Sequence, residues 1–243
     1  MQRRDFLKKT GQALALAAVS GGTGLLFHNR QITRYKPLAV KNRDFTVSPD
    51  NRLPQLALAR NSDPAAALNG ALDAVGGIRR FIQAGERVTI KPNIGWDRTP
   101  EQAANTNPLL VSEMVRLCLA AGASDVIVTD LSCNDPRSCF VRSGIRQAAE
   151  KAGARVILPT DDDFIRVDLH GELLTEWPVL RPVVFTDRLI NMPIVKQHSL
   201  TACTVGMKNL YGILGGPRYQ LHQQIDQSIV DLAAFCRPTL TVI

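Results

Sequence analysis

From about residue 55 onward, short runs rich in β-branched residues alternate with stretches of helical periodicity, and this order constrains the fold more than any other feature of the chain. Strands are predicted at Gln55–Arg60, Arg87–Lys91, Ser124–Asp130, Arg155–Leu158 and Arg188–Met192. Helices are predicted at Pro64–Val75, Pro108–Ala121, Phe140–Ala152 and Leu221–Phe235. A strand, helix, strand order joins parallel strands through crossover helices, and strands covered on both faces read as near-continuous apolar runs. The expected fold is therefore α/β: a Rossmann-like, doubly wound, mostly parallel sheet with helices on both faces. Phe164–Leu169 and Glu172–Trp177 flank the turn-like pair His170-Gly171 and predict a small β-hairpin excursion. Thr239–Ile243 reads as a last strand, and because the pattern breaks off inside it, the natural protein is expected to continue beyond Ile243.

The N-terminus has a different character. Arg3, Arg4, Lys8 and Lys9 precede an apolar run, Ala13–Val19, and the small residues Ser20-Gly21-Gly22, which is the layout of a signal peptide over residues 1–28. The paired arginines followed by Phe6, Leu7 and Lys8 resemble a twin-arginine export signal. The resemblance implies a periplasmic or otherwise extracytoplasmic protein that meets the twin-arginine translocase during export. The apolar run falls short of the roughly 20 residues that span a bilayer, so cleavage is expected. An uncleaved membrane anchor is the alternative, since no clean Ala-x-Ala site follows. Residues 29–54, with Pro37, Pro49 and Pro54, read as an extended linker, which leaves 55–243 as one α/β domain.

Much of the formal charge of +7 belongs to the leader and linker. The domain shows no block of Lys and Arg interleaved with aromatics, so nucleic acid is not an expected partner. The five cysteines include no CxxC pair, and an iron–sulfur cluster held by this chain alone is not expected. Cys133 and Cys139 are spaced to pair in an oxidising compartment, whereas Cys118 and Cys236 fall in apolar helical patterns and read as core.

In open parallel sheets, ligands bind beyond the carboxyl ends of the strands, where loops and helix N-termini meet. Three polar clusters follow predicted strands there: Lys91-Pro92-Asn93, the run from Asp130, and Asn191 to His198. The stretch Asn191–Gly216 is too polar for a core strand and too apolar for a disordered loop. Convergence of Lys91, Lys196 and Lys208 would make an anion pocket suited to a carboxylate or phosphate, with Asn93, Thr204 and Asn209 as further binding residues. A desolvated lysine can also act as a base. The expected catalytic group is His198, Lys208 and Asp130, with His198 moving a proton and Asp130 orienting it. His198 and Asp130 are also the candidate ligands of a divalent metal, without HxH or HExxH spacing behind them. Asp161-Asp162-Asp163 reads as a solvated turn.

VTIKPN (Val88–Asn93), TNP (Thr106–Pro108), the strand ending at Asp130 and INMPIVKQHSLTACTVGMKNLYGILG (Ile190–Gly215) together resemble the domain of unknown function 362 family, over roughly Leu56 to Ile243. That resemblance implies an α/β protein, often behind a twin-arginine leader. Some members are fused to ferredoxin-type iron–sulfur modules, and this sequence shows no such module. The expectation is an exported protein that binds or transforms a small anionic substrate at a Lys/His/Asp site. The alternative is a non-catalytic partner or maturation protein of an exported iron–sulfur or redox complex, working with a redox partner protein.

Overall fold

The computed structural model describes residues 43–243, together with Thr10, Leu16 and Val40. The leader's signal motif and most of the linker before residue 43 lie outside the described residues. The chain divides into two compact units, Met1–Lys36 and Pro37–Ile243, and the second carries the sheet. Its strands are β1 (Arg43–Asp44), β2 (Arg87–Pro92), β3 (Asp125–Thr129), β4 (Arg155–Ile157), β5 (Phe164–Asp168), β6 (Glu176–Leu180), β7 (Arg188–Met192), β8 (Lys196–His198), β9 (Ala202–Thr204), β10 (Cys236–Arg237) and β11 (Leu240–Thr241). Its helices are α1 (Pro64–Ala74), α2 (Pro108–Ala121), α3 (Pro136–Arg142), α4 (Ile145–Lys151), α5 (Arg181–Val184), α6 (Gly206–Asn209) and α7 (Ile225–Phe235).

Five strands form one all-parallel sheet in the order β11-β7-β2-β3-β4. The chain steps from β2 through β3 to β4, then returns to the other side of β2 with β7 and β11. The direction of winding reverses at β2, and such a reversal opens a crevice at the carboxyl ends of the flanking strands. The Rossmann-like α/β expectation holds.

Period-two alternation on β2 sets the two faces. Val88 and Ile90, both 0% exposed, enter a core with Leu72 of α1, Met114 of α2, Phe140 of α3 and Ile145 of α4. Burying each of these side chains contributes about 1.5–3 kcal/mol. Thr89 and Lys91 point the other way: Thr89 Oγ1 donates to Pro182 O of α5 at 2.8 Å. A second core there joins Leu189 of β7, Val179 of the β5–β6 hairpin, and Leu232 and Phe235 of α7. Phe45, just after β1, is buried in that core, and β1 pairs in parallel with β10.

The helix starts follow local chemistry. Asn107 caps α2 by accepting from Leu109 N at 2.8 Å, with Pro108 in the first turn, where its missing N–H costs nothing. The single helix expected over Phe140–Ala152 is two, because α3 begins earlier, at Pro136 under the Asp135 cap, and Gly144 at φ 71° separates it from α4. The strand expected at Gln55–Arg60 does not form. Its alternation turns the small Ala57 toward the core and leaves Leu56 and Leu58 85% and 98% exposed, so no apolar face is buried. The excursion is an antiparallel hairpin with Phe164 opposite Leu180 and Asp168 opposite Glu176, so its second strand starts later than predicted. Its loop is held by Asp231 of α7, whose Oδ2 accepts from Leu173 N at 2.7 Å and Leu174 N at 2.9 Å. The last helix is preceded by 3-10 turns over Arg218–Gln224, and β11 pairs with β7. The hairpin β8–β9 and the short α6 were not predicted.

Candidate functional site

A cavity of about 680 Å³ lies at the carboxyl edge of the sheet, where β2, β3 and β7 end. All eight residues singled out in the sequence line it: Lys91, Asn93, Asp130, Lys196, His198, Thr204, Lys208 and Asn209. Two routes bring them there. Lys91 and Asp130 stand at the ends of adjacent parallel strands. Asn93 follows β2 directly, and the β8–β9 hairpin, with Lys196 opposite Thr204, and α6 after it bring the remaining residues to that edge.

The base of the cavity is a buried ion pair. Lys91 Nζ lies 2.6 Å from Asp130 Oδ1, with the two side chains 1% and 3% exposed. The same ammonium donates to Pro92 O at 2.7 Å and to Asn209 Oδ1 at 3.2 Å. Two of its protons thus have hydrogen-bond acceptors and its charge is paired with Asp130, so the ammonium expected to bind an anion is engaged inside the protein. Burial pushes the Lys91 pKa down, and the Asp130 carboxylate opposes that shift. Asp130 Oδ2 accepts from Ile94 N at 2.6 Å, so both oxygens of this carboxylate engage the β2 side of the site. The expected partnership of Asp130 with His198 is not among its contacts.

Gly212 is what allows the pair to be closed over. A Cβ at this position would overlap Asp130 Oδ1 and come 2.7 Å from Lys91 Nζ. Only a residue without a side chain lets this turn approach so closely, and its carbonyl accepts from Leu131 N at 2.9 Å, tying it to the loop after β3.

Asparagines extend the network. Asn209 Oδ1 also accepts from Asn93 Nδ2 at 2.9 Å, and Asn209 Nδ2 donates to Asn191 Oδ1 at 2.8 Å. Asn93 Oδ1 in turn accepts from Lys196 Nζ at 2.8 Å, and that ammonium also donates to Ala104 O at 2.6 Å. Lys196 keeps one N–H beyond these two bonds. Burial lowers its pKa, with the charge of Lys91 adding to the effect.

Lys208 is held differently. Its ammonium stands 4.0 Å from the centre of the Tyr211 ring. Among the described residues, it has no ion pair or hydrogen bond of the side chain. Burial, opposed by Cys133 and reinforced by the neighbouring charges of Arg218, Lys91 and Lys196, pushes its pKa down to about 8. His198 Nδ1 accepts from Leu200 N at 3.2 Å and Thr201 N at 3.3 Å. With Nδ1 used as an acceptor, the neutral ring carries its proton on Nε2. Burial and then the charges of Lys208, His222 and Lys196 hold the His198 pKa below its ordinary value.

The structure adds residues that the sequence did not single out. Arg218 donates to Leu131 O at 3.3 Å and Ser132 O at 3.2 Å, which fixes its guanidinium on the loop after β3. His222 stacks on Tyr211 with centroids 6.0 Å apart. The only local signal for these was their place just after the Gly215-Gly216 pair. Cys133 lines the cavity as a free, exposed thiol, and Cys139 is a free thiol buried in the core of α3, so the two do not form the pair their spacing suggested. Among the described residues, no group of three or more His, Cys, Asp or Glu side chains is placed to hold a metal ion. Among them also, no helix is long and apolar enough to cross a membrane.

Four basic residues, Lys91, Lys196, Lys208 and Arg218, line the cavity against one carboxylate, Asp130, which Lys91 already neutralises. The uncompensated charge is positive, in a partly enclosed space where charge is worth more than in bulk water. Residues 88–243, which include every part of this site, match the family described as Domain of unknown function (DUF362). A thylakoid-associated protein of Synechocystis sp. is 27% identical over 159 residues, a match that covers 62% of this chain and 46% of that protein. The chain thus spans less than half the length of this relative.

Proposed function

We propose that this chain, which belongs to the DUF362 family, binds a small anionic substrate in the cavity at the carboxyl edge of its sheet and moves a proton on it, outside the cytoplasm. The observation that carries this reading is the excess of basic side chains around a carboxylate that is already paired. Lys208, without an ion partner among the described residues, is the principal anion contact, and the third N–H of Lys196 and the Arg218 guanidinium assist it. Lys91 and Asp130 position the binding turn rather than touch the substrate. The proton is handled by Lys208, whose pKa is lowered to about 8, while Nε2–H of His198 donates a hydrogen bond to the substrate.

Calorimetric titration with acetate and inorganic phosphate tests the reading. Lys208→Ala is expected to weaken binding by roughly 10- to 100-fold, the worth of one charge-assisted hydrogen bond, with the unfolding midpoint unchanged. Equal affinity in wild type and variant would remove Lys208 from the site. The sign of the pH dependence follows from the direction of its shift. Only the protonated amine attracts an anion, so affinity is full below pH 7 and declines as pH rises through about 8. Lys208→Arg, which stays charged, is expected to flatten that decline.

Export belongs to the same reading. It is supported by the paired Arg3-Arg4 and by the membrane compartment in the name of the Synechocystis relative. Changing Arg3 and Arg4 together to lysine is expected to leave the protein in the cytoplasmic fraction of its native host. An unchanged periplasmic share would discard the twin-arginine route.

A further inference from the structure

The cavity is larger than a simple anion needs, and its wall is not uniformly polar. Acetate or phosphate would occupy a small part of about 680 Å³, a volume within the roughly 300–1,000 Å³ range of pockets that enclose whole organic ligands. Three large side chains with apolar surface line it: Trp96, Leu200 and Tyr219. They come from separate segments, the loop after β2, the tip of the β8–β9 hairpin and the turn after Gly216. They nevertheless remain 42%, 55% and 71% exposed. Single apolar side chains on a surface are ordinary, but three that line one cavity, each exposed among the described residues, give it an apolar component. Among the buried members of the lining, Lys91, Asp130, Asn209 and Thr204 are polar or charged, and the Tyr211 ring and the glycines Gly95 and Gly212 complete it. Charged groups therefore concentrate in the interior, while the three large side chains with apolar surface stand at the rim beside the polar Gln197, Ser199 and His222.

We infer that the ligand is an amphiphilic organic anion, with one carboxylate or phosphate head and an aromatic or short alkyl body, the head against Lys208 and Arg218 and the body against Trp96, Leu200 and Tyr219. This deepens the anion reading above and rests on it. Tryptophan and tyrosine suit such a rim because each offers a broad apolar face with a polar edge that tolerates water. A free inorganic ion would make no use of these side chains.

Two matched pairs of probes, acetate with benzoate and inorganic phosphate with phenyl phosphate, test the inference by titration of the full chain. In at least one pair the aromatic member is expected to bind tenfold or more tightly than its small counterpart, and that pair identifies the head group. Leu200→Ser and Tyr219→Ala, both at exposed positions, are expected to erase the gain while changing the affinity for the small member less than twofold. Equal affinities within both pairs, with binding still dependent on Lys208, would overturn the amphiphile and leave the anion site standing. A gain that survives both substitutions would overturn the assignment of the rim. Failure of all four probes to bind would sink the anion reading itself.

Discussion

Asp130→Ala is expected to destabilise the protein by about 3–5 kcal/mol, the cost of leaving a buried ammonium without its counter-ion. In a domain of this size, that is a fall in Tm on the order of 10 °C. Lys91 is 0% exposed and cannot reach water to compensate. Its remaining acceptors, Pro92 O and Asn209 Oδ1, carry no formal charge. The variant also removes the acceptor of Ile94 N, so a backbone donor is orphaned at the end of the central strand. Urea unfolding followed by circular dichroism measures the loss. The double variant Lys91→Met with Asp130→Leu is expected to recover at least half of it, because two apolar side chains leave no charge buried. A single variant as stable as wild type would mean that Lys91 is neutral in the folded protein.

Gly212→Ala is expected to cost roughly 3 kcal/mol, although it adds a single methyl group. The backbone at this position is not in the left-handed region, so alanine is not excluded by conformation. The cost comes from space. The new Cβ would lie on the Asp130 carboxylate, which is fixed by Ile94 N on one side and Lys91 on the other. Either the ion pair separates or the turn carrying Tyr211 retreats and breaks the bond from Leu131 N to Gly212 O. Either outcome lowers the unfolding midpoint, and retreat of the turn also displaces the ring against which Lys208 rests, so anion affinity is expected to fall more than tenfold with it. Loss of binding at full stability would place Gly212 in direct contact with the ligand instead.

The sheet was legible in the sequence because its strands are buried on both faces and its helices announce their own starts. Asn107-Pro108 is a local cap, readable without any tertiary contact. Gln55–Arg60 failed for the complementary reason: alternation says which residues could share a face, not whether anything lies opposite that face. The break at Gly144 was in principle visible, yet the apolar period continues across it and masks the change of helix axis. Within the site, the grouping of lysines, asparagines and His198 was readable, since the ends of parallel strands must share one edge. Their division of labour was not. Nothing near Lys91 says that its ammonium is consumed, because two of its partners, Asp130 and Asn209, are distant in sequence. Arg218 reaches carbonyls of residues 131 and 132, a contact that no local pattern encodes.

The winding reversal at β2 gives the cavity two unequal halves. One half is welded to the innermost strand through Lys91 and Asp130, and any change there is a change to the fold. The other half is carried by the tip of a short hairpin and by the turn after Gly216, whose side chains at 200 and 219 are largely exposed. Under the proposed reading, substitutions on that outer half retune which molecule is accepted without drawing on the stability of the sheet. A lineage built on this scaffold can vary its outer wall while the charged foundation stays the same.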